Sequence, residues 1–240
     1  MALVYIILFV APLTGPSAKP LLPKSLGEGI VDILQREIIS GGFRPGQRLV
    51  ERELIQRFGV SSIPIRQALQ ELESRGVVVK RHNCGCSVIQ LTPTQVARIC
   101  ELRRVLEPKV MEWAAERITP PEVERLAVQL DRLEQAAAGQ DLATFFQEDM
   151  VFHRMTWEAA GNPFAVRTLE TTVGSLFASG MIGSRDSHSI DLNAEMEKHR
   201  RLFDAIGDRD PQRSALALLE IAAGFEKHLP RGPGSGLKLV

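Results

Sequence analysis

Three side chains in the second half of the chain have the types and the spacing needed to bind a metal ion. Asp149 and His153 are four residues apart, and in a helix this spacing places both side chains on one face. His199, on a later helix, can join them across a helical bundle. Carboxylate and imidazole groups are ligands of zinc. The pattern predicts a site for one divalent metal such as zinc, and the alternative is a set of hydrogen-bonded polar residues in a pocket.

The cysteines form a weaker candidate site. Cys84 and Cys86 are two apart on a predicted strand, so they share a face and could form a metal or redox pair, but no second pair completes a metal site. With Cys100 they are too few for a disulfide scaffold, and they are typical of a reducing cytoplasm. We therefore expect a cytoplasmic protein in which these cysteines have no special chemistry.

Charge is distributed unevenly along the chain, and this bears on its partners. The 240 residues carry 29 Lys and Arg and 29 Asp and Glu, so the formal net charge is zero. Residues 21–92 have ten basic and seven acidic residues, a net charge of +3, whereas residues 93–240 have 18 and 22, a net charge of −4. A polyanion is therefore expected to bind the first region.

The elements that would position such an interface are two short helices joined by a tight turn. A helix over Glu51–Phe58 ends at Gly59, and Ser61 has the residue type of an N-cap for the next helix, which runs to about Ser74. This order is typical of a helix-turn-helix. An amphipathic helix precedes it, with apolar residues at helical spacing: Ile30, Val31, Leu34 and Ile38.

A β-hairpin is predicted directly after the second of these helices. Val77–Val79 form one strand, His82–Gly85 the turn, and Ser87–Leu91 the returning strand. A hairpin in this position is a wing, so residues 23–91 are predicted to be a winged helix-turn-helix domain.

The rest of the chain is predicted to be helical almost to its end, which places the Asp149, His153 and His199 cluster in a bundle. About six helices are expected in residues 92–229, enough for an antiparallel bundle. Their predicted starts are Thr92, Thr119, Asp141, Asn162, Asp191 and Pro211. With 5% aromatic residues and abundant Ala, Leu, Glu, Arg and Gln, the composition also favours helices. The predicted fold is mainly α: an N-terminal winged helix-turn-helix plus a C-terminal all-helical antiparallel bundle.

Both ends of the chain are expected to lie outside these domains. Residues 1–13 are apolar, but they lack the basic segment of a secretory signal and the length of a membrane helix. We therefore expect residues 1–22 to be a flexible extension without a membrane partner. Residues 230–240, which contain RGPGSG, are expected to be a flexible tail.

The first domain resembles the winged helix-turn-helix of the GntR family of bacterial transcription regulators over about sixty residues. The resemblance is carried by the PGxRL turn at residues 45–49, by ERELIQRFGVS at residues 51–61 and by PIRQALQELESRG at residues 64–76. It implies binding to a double-stranded DNA operator.

Within this resemblance, the N-terminal turn of the second helix is expected to enter the major groove. Ser61, Ser62 and Arg66 occupy that turn, and Arg66 can make bidentate bonds to guanine. Arg48 is expected to contact a backbone phosphate, and Gly85 allows the wing tip to approach the minor groove without a Cβ. The alternative for each arginine is a solvated charge or an ion pair within the domain.

The chain also departs from the family's pattern. Ser62 and Ile63 stand where relatives often have Arg and Thr, and Cys84 stands where a basic residue is usual at the wing tip. The operator preference of relatives therefore does not transfer to this chain.

The helical region is similar to the FCD ligand-binding domain of the FadR-type branch of the same family. The matching segments are ELRRVLEP at residues 101–108, EDMVFHRMTWEAAGNP at residues 148–163, and KHRRLFDAI with the following DRDP at residues 198–211. The resemblance implies a homodimer whose helical domains bind a small organic acid or acyl effector, often over a divalent metal held by one Asp and three His.

Two further positions follow from the resemblance. Arg103 matches a position that often faces the effector pocket, where it could bind a carboxylate. Arg104 is the alternative candidate for this role. The alternative role for Arg103 is a helix-surface salt bridge with Glu107. The fourth metal ligand of the family falls on Ile221, which cannot ligate a metal, so the affinity is expected to be low.

These inferences favour a ligand-responsive DNA-binding transcription regulator that is not an enzyme. Two alternatives remain open. One is a metal-dependent enzyme that uses Asp149, His153 and His199 to activate water, and the other is a DNA-binding protein with a decayed effector pocket, to which Ile221 points.

Overall fold

The computed structural model describes residues 26–39, 41–81, 85–183 and 190–227. The predicted N-terminal extension, the C-terminal tail and Cys84 at the expected wing tip lie outside the described residues. Within the described residues the chain forms nine α-helices and three short strands. The helices and strands, in chain order, are α1 (Leu26–Ile39), β1 (Arg48–Leu49), α2 (Glu51–Phe58), α3 (Ser62–Ser74), β2 (Val78–Arg81), β3 (Gly85–Val88), α4 (Pro93–Arg117), α5 (Pro120–Ala138), α6 (Leu142–Ala159), α7 (Pro163–Gly183), α8 (Leu192–Gly207) and α9 (Pro211–Lys227).

The first three helices and the sheet form a winged helix, which confirms the predicted mainly α fold with an N-terminal winged helix-turn-helix. Helices α1 and α3 pack together, and the core between them and the sheet includes Leu34, Ile65, Leu72 and Val88, all fully buried. The turn between α2 and α3 needs Gly59, which has a φ of 64° and caps α2 in the left-handed conformation.

The sheet differs from the prediction in having a third strand. Its order is β1-β3-β2, with antiparallel pairs that set Leu49 opposite Cys86 and Val78 opposite Val88. Two-residue β1 carries no alternation pattern, so it could be found only from its pairing partner. The hairpin strands also lie nearer the turn than predicted, at Val78–Arg81 and Gly85–Val88.

Helices α4–α9 form the bundle, and their starts match the predicted ones because residues with capping side chains precede them. The Thr92 side chain accepts from the backbone N–H of Gln95, and Asp141 and Asp191 cap α6 and α8 in the same way. Helix α4 packs along α9, α9 along α8, and α5 along α6. The interior includes Phe145, Phe152, Trp157 and Leu133.

Helix α7 joins the bundle to the winged helix. The Ser175 hydroxyl donates to the Gly76 carbonyl over 3.0 Å, and the Thr171 hydroxyl donates to the Ser74 carbonyl over 3.1 Å. The approach is so close that a Cβ added at Gly174 would lie 2.5 Å from the Arg75 carbonyl oxygen. Ala178, one turn further, is packed in the core of the winged helix.

None of the helices in the described part of the chain combines the length and the apolar character needed to cross a bilayer.

Candidate functional site

The outward face of α3 is the first candidate site. Ile65, Ala68, Leu69 and Leu72 are buried on the inner face of the helix. The exposed residues of the helix are Ile63, Arg66, Gln67, Gln70, Glu71 and Ser74, and the first four lie toward its N-terminal half. A helix with one buried face and one exposed polar face fits the major groove of DNA.

Arg66 is held at this face by an ion pair with the first residue of α2. Its Nε lies 2.8 Å from a Glu51 carboxylate oxygen, and 68% of the side chain is exposed. The hydrogen bond that Arg66 donates to Glu51, together with the negative charge of Glu51, raises the pKa of Arg66, so this arginine is always a cation. Such an exposed ion pair stabilises the fold little, and its carboxylate can be exchanged for a phosphate or a guanine edge.

A groove of about 750 Å³ runs between α3, the start of α2 and the wing. Its basic lining residues are Arg48, Arg52, Arg66 and Lys80. Glu51 and Glu73 also line it, so the four cations outnumber the acids by two. A basic groove beside an exposed helix face is a surface that phosphates can follow.

Of the predicted DNA-contact residues, Arg48, Arg66 and Gly85 line this groove, and Ser61 and Ser62 lie at the start of α3. Ser61 precedes α3 as its N-cap but makes no capping hydrogen bond through its side chain, and Ser62 begins the helix. Gly85 has a φ of 77°, and an added Cβ would lie 3.4 Å from the Arg48 guanidinium. That distance is an ordinary van der Waals contact, so it is the positive φ that favours glycine at this position.

The sequence argument missed four residues of this surface: Arg52, Gln67, Gln70 and Lys80. Helical spacing could have found Gln67 and Gln70, since they lie one and four residues after Arg66. Arg52 and Lys80 enter the groove only because α2 and β2 fold beside α3, which no local pattern discloses.

The second candidate site is the predicted metal cluster, which the fold assembles inside the bundle. Asp149 and His153 come from α6 and His199 from α8, and their candidate ligand atoms all lie within 4.8 Å of one another. An Asp149 carboxylate oxygen lies 2.7 Å from His199 Nε2 and 3.3 Å from His153 Nε2. All three residues are buried.

The hydrogen bonds of His199 show what this cluster lacks. Its Nδ1 lies 2.8 Å from the Glu195 carbonyl oxygen, which can only accept, so Nδ1 carries a proton. A neutral His199 would then turn the lone pair of Nε2 toward the Asp149 carboxylate. The arrangement is favourable only if a second proton or another cation lies between them.

The charges of Asp149 and His199 shift each other's pKa so that both groups favour their charged forms. Burial disfavours the Asp149 carboxylate, but His199 and His153 outweigh this and hold its pKa below the ordinary value. Burial likewise disfavours a charged imidazole, yet Asp149 raises the pKa of His199. The Asp149 carboxylate thus keeps its negative charge inside the bundle, where a protonated His199 or a metal ion can balance it.

His153 gives the strongest indication that the cluster fits a metal. It is fully buried; among the described residues its Nδ1 has no hydrogen-bond partner, and its Nε2 faces Asp149 without the geometry of a hydrogen bond. Buried polar atoms normally have partners. An unpartnered imidazole nitrogen 3.3 Å from a carboxylate oxygen suits a divalent ion bound by both groups.

Aromatic side chains enclose the cluster. The rings of Phe145 and Phe152 lie edge-on to His199, and those of Trp157 and Phe177 lie against His153, all with centroids 5.6–6.2 Å apart. Ile221 of α9 is buried in the same core, so the position expected to supply a fourth ligand presents a hydrocarbon side chain.

Arg103, the predicted effector-binding residue, lies in a buried ion pair. Its Nε is 2.5 Å from a Glu107 carboxylate oxygen, and both side chains are 1% exposed. The pair with Glu107 was expected as an alternative, but at the helix surface. The other candidate, Arg104, is paired with Glu226 of α9 over 2.8 Å.

Comparison with known proteins assigns a family to each of the two regions that contain these sites. Residues 26–88 match the gntR family of bacterial regulatory proteins, and residues 98–223 match the FCD domain. The chain therefore belongs to the gntR family and carries an FCD domain. It is a DNA-binding transcription regulator with a helical effector-binding domain.

Its curated relatives include two proteins described as the HTH-type transcriptional repressor NanR. That of Cronobacter sakazakii is 30% identical over 220 residues, which cover 83% of this chain and 84% of the relative. That of Klebsiella aerogenes is 29% identical over 219 residues, with the same coverage.

Two solved structures share the fold. E. coli McbR/YncC superposes with a TM-score of 0.71 at 22% identity, over 84% of this chain and 95% of the other. A GntR regulator from Rhodococcus sp. RHA1 gives a TM-score of 0.65 at 21% identity, over 84% and 96% of the two chains.

Proposed function

We propose that the protein is a homodimeric regulator that binds a pseudo-palindromic operator. Its affinity for the operator changes when the bundle binds a small carboxylate or acyl compound. The observation that carries the first part is the exposed outer face of α3 beside the basic groove. One winged helix reads only a half-site, so two are needed for an operator of ordinary length.

Each contact has a physical role in this proposal. Arg66 exchanges its Glu51 partner for a base edge or phosphate, and Arg48 contacts a backbone phosphate. Ser61 and Ser62 place hydroxyls and backbone N–H groups at the helix N terminus, where the dipole favours a phosphate. Gly85 lets the wing backbone approach the minor groove without a Cβ.

The effector site is proposed to include a divalent metal, such as zinc, held by Asp149, His153 and His199. The unpartnered nitrogens of the buried His153 support this assignment. A bound metal would act as a Lewis acid, and the carboxylate of an effector could coordinate it. The protein's own part is to fix the ligands on α6 and α8 and to exclude water with the surrounding aromatic rings.

The DNA-binding proposal is tested with a duplex that the full chain selects from a random library. Arg66→Ala should weaken binding by about 1–3 kcal/mol and relax the preference at one base pair, whereas Arg48→Ala should weaken all duplexes similarly and reduce the salt slope by about one. Arg200, which pairs with Glu134 on the bundle, provides the matched control Arg200→Ala. Unchanged affinity and preference in Arg66→Ala would remove Arg66 from the interface.

The metal proposal is tested by elemental analysis of the purified protein and by melts with panels of divalent metals and small carboxylates. His153→Ala should lose the metal and its stabilising effect. Thr156→Ala is the control, since it removes another buried polar group from α6 and leaves the three ligands intact. Equal metal in wild type and His153→Ala would refute the placement. A silent panel would favour a regulator whose effector pocket has decayed.

A further inference from the structure

Ile63 is an exposed apolar side chain at the place where the recognition helix begins. It lies in the first turn of α3 and is 65% exposed. Among the described residues of α3 it is the only large hydrophobic side chain that is exposed. The core of the winged helix is filled by the opposite face, so Ile63 contributes nothing to it.

The neighbours of Ile63 are the polar groups that can read bases. Arg66 lies three residues later and Gln67 four, so both are adjacent to Ile63 on the helix surface. Both are exposed. A single apolar side chain surrounded by polar ones is too small a patch to bind a protein partner.

The base edges in the major groove offer one group that suits an isoleucine. Arginine pairs with guanine and glutamine with adenine, whereas the 5-methyl group of thymine is recognised by apolar contact. We propose that Ile63 is a specificity-determining residue that contacts the methyl group of a thymine in each half-site. The proposal rests on the DNA-binding function and adds to it the base that one named residue selects.

The test removes the methyl group from the DNA without changing base pairing. The full chain first selects a duplex from a random library, and each thymine is then replaced in turn by deoxyuridine, which lacks the 5-methyl group. At one thymine per half-site the wild type should lose about fourfold in affinity, the factor expected for burial of one methyl-sized group. At that position Ile63→Ala should bind thymine and uracil equally.

Two variants make the comparison specific. Leu26→Ala removes a side chain that is also exposed, by 62%, but on α1, and it should discriminate like the wild type. Ile63→Thr keeps one methyl group and should retain part of the discrimination. Ile63→Ala and Ile63→Thr both change an exposed side chain outside the core, so the midpoint of unfolding should stay unchanged in each.

The outcomes separate this proposal from the DNA-binding function. A chain that selects no duplex would overturn the proposed function itself. A chain that binds a selected duplex but discriminates nowhere between thymine and uracil, or whose Ile63→Ala variant keeps the wild-type ratio, would overturn only the role of Ile63. A selected site without a thymine at a fixed position in each half-site would do the same.

Discussion

Single residues decide whether the buried cluster of α6 and α8 binds a metal strongly. Ile221, which is 4% exposed, is the residue that the resemblance predicts at the position of a further imidazole ligand. Three ligands can hold zinc as an open site, but affinity falls with each donor that is missing. The polar groups Asp149, His153 and His199 are nevertheless kept in an apolar core, where burial without a partner is unfavourable.

We predict that Ile221→His raises the zinc affinity by about tenfold or more, since outer-shell partners alone are worth that much. The added imidazole becomes a fourth donor. Without metal the same substitution should destabilise the bundle by about 1–3 kcal/mol, because it buries unsatisfied polar atoms. Melts of both proteins with and without zinc measure the two effects. If zinc does not restore the lost stability, the register assigned to α9 is wrong.

For the Asp149–His199 pair we predict that the free energy of unfolding depends on pH in opposite directions with and without metal. Despite burial, Asp149 raises the pKa of His199 above the ordinary 6.5, so in EDTA the stabilisation is complete below that value and is lost as the pH rises through the raised pKa. The charged Asp149 also stabilises the fold. This stabilisation is complete above the ordinary pKa of 3.8 and is lost as the pH falls through the lowered pKa.

With zinc the dependence on rising pH should reverse, because only neutral imidazole ligates. Urea unfolding of the protein in EDTA and in zinc, over the range from about pH 5 to about pH 9 around the imidazole pKa, measures both slopes. Asp149→Asn should remove both. Parallel slopes in EDTA and zinc would show that the cluster does not bind the ion.

At the scale of elements, α7 contacts both parts of the molecule. Thr171, Ser175 and Ala178 face the winged helix, whereas Phe177 packs in the bundle with its ring centroid 6.2 Å from that of His153. If His153 moves when a ligand binds, its contact with Phe177 passes the movement directly to α7, which packs against α3 and β2. This is a short physical route between the effector site and the DNA-binding surface.

We predict that Gly174→Ala weakens this junction. Alanine in place of glycine favours a helix by about 1 kcal/mol, but the added Cβ would lie 2.5 Å from the Arg75 carbonyl oxygen, and overpacking costs about 1–3 kcal/mol. The free energy of unfolding should fall. Gly29→Ala in α1, whose added Cβ meets nothing within 4 Å, should raise it. Equal gains in both variants would show that α7 does not press on the α3–β2 turn.

The sequence predicted elements well wherever a residue type has a local physical role. Thr92, Asp141 and Asp191 cap helices, and Gly59 supplies the left-handed turn, so these boundaries were confirmed. Strand β1 and the junction on α7 were missed, because each depends on a partner distant in the chain. The contact of Ser175 with Gly76 spans 99 residues, a separation at which periodicity carries no information.

The candidate sites show the same division. The spacing of Asp149 and His153 predicted one face of α6, and the fold brought His199 to it. The burial of Arg103 with Glu107 was not foreseen, because a helical pair four residues apart looks the same in sequence at the surface and in the core. Only the packing of the surrounding helices decides between them.

At the scale of the whole molecule, the prediction is that two chains bind one operator. Sedimentation of the protein with a selected duplex should give a stoichiometry of two, and destroying one half-site should weaken binding far more than a single base change, which costs about 1–3 kcal/mol. A scrambled flank of equal length is the control. Full affinity for an isolated half-site by one chain would contradict the dimeric arrangement.

The placement of Ala178 in the core of the winged helix has a consequence for how the protein opens. A fragment that ends at Leu91 would lose Ala178 from its core and the hydrogen bonds of Thr171 and Ser175, so the winged helix is expected to unfold together with the bundle rather than alone. Backbone amides of α3 and β2 should then exchange with deuterium at rates set by the detachment of α7. A ligand that binds in the bundle would slow that exchange in a region it never contacts.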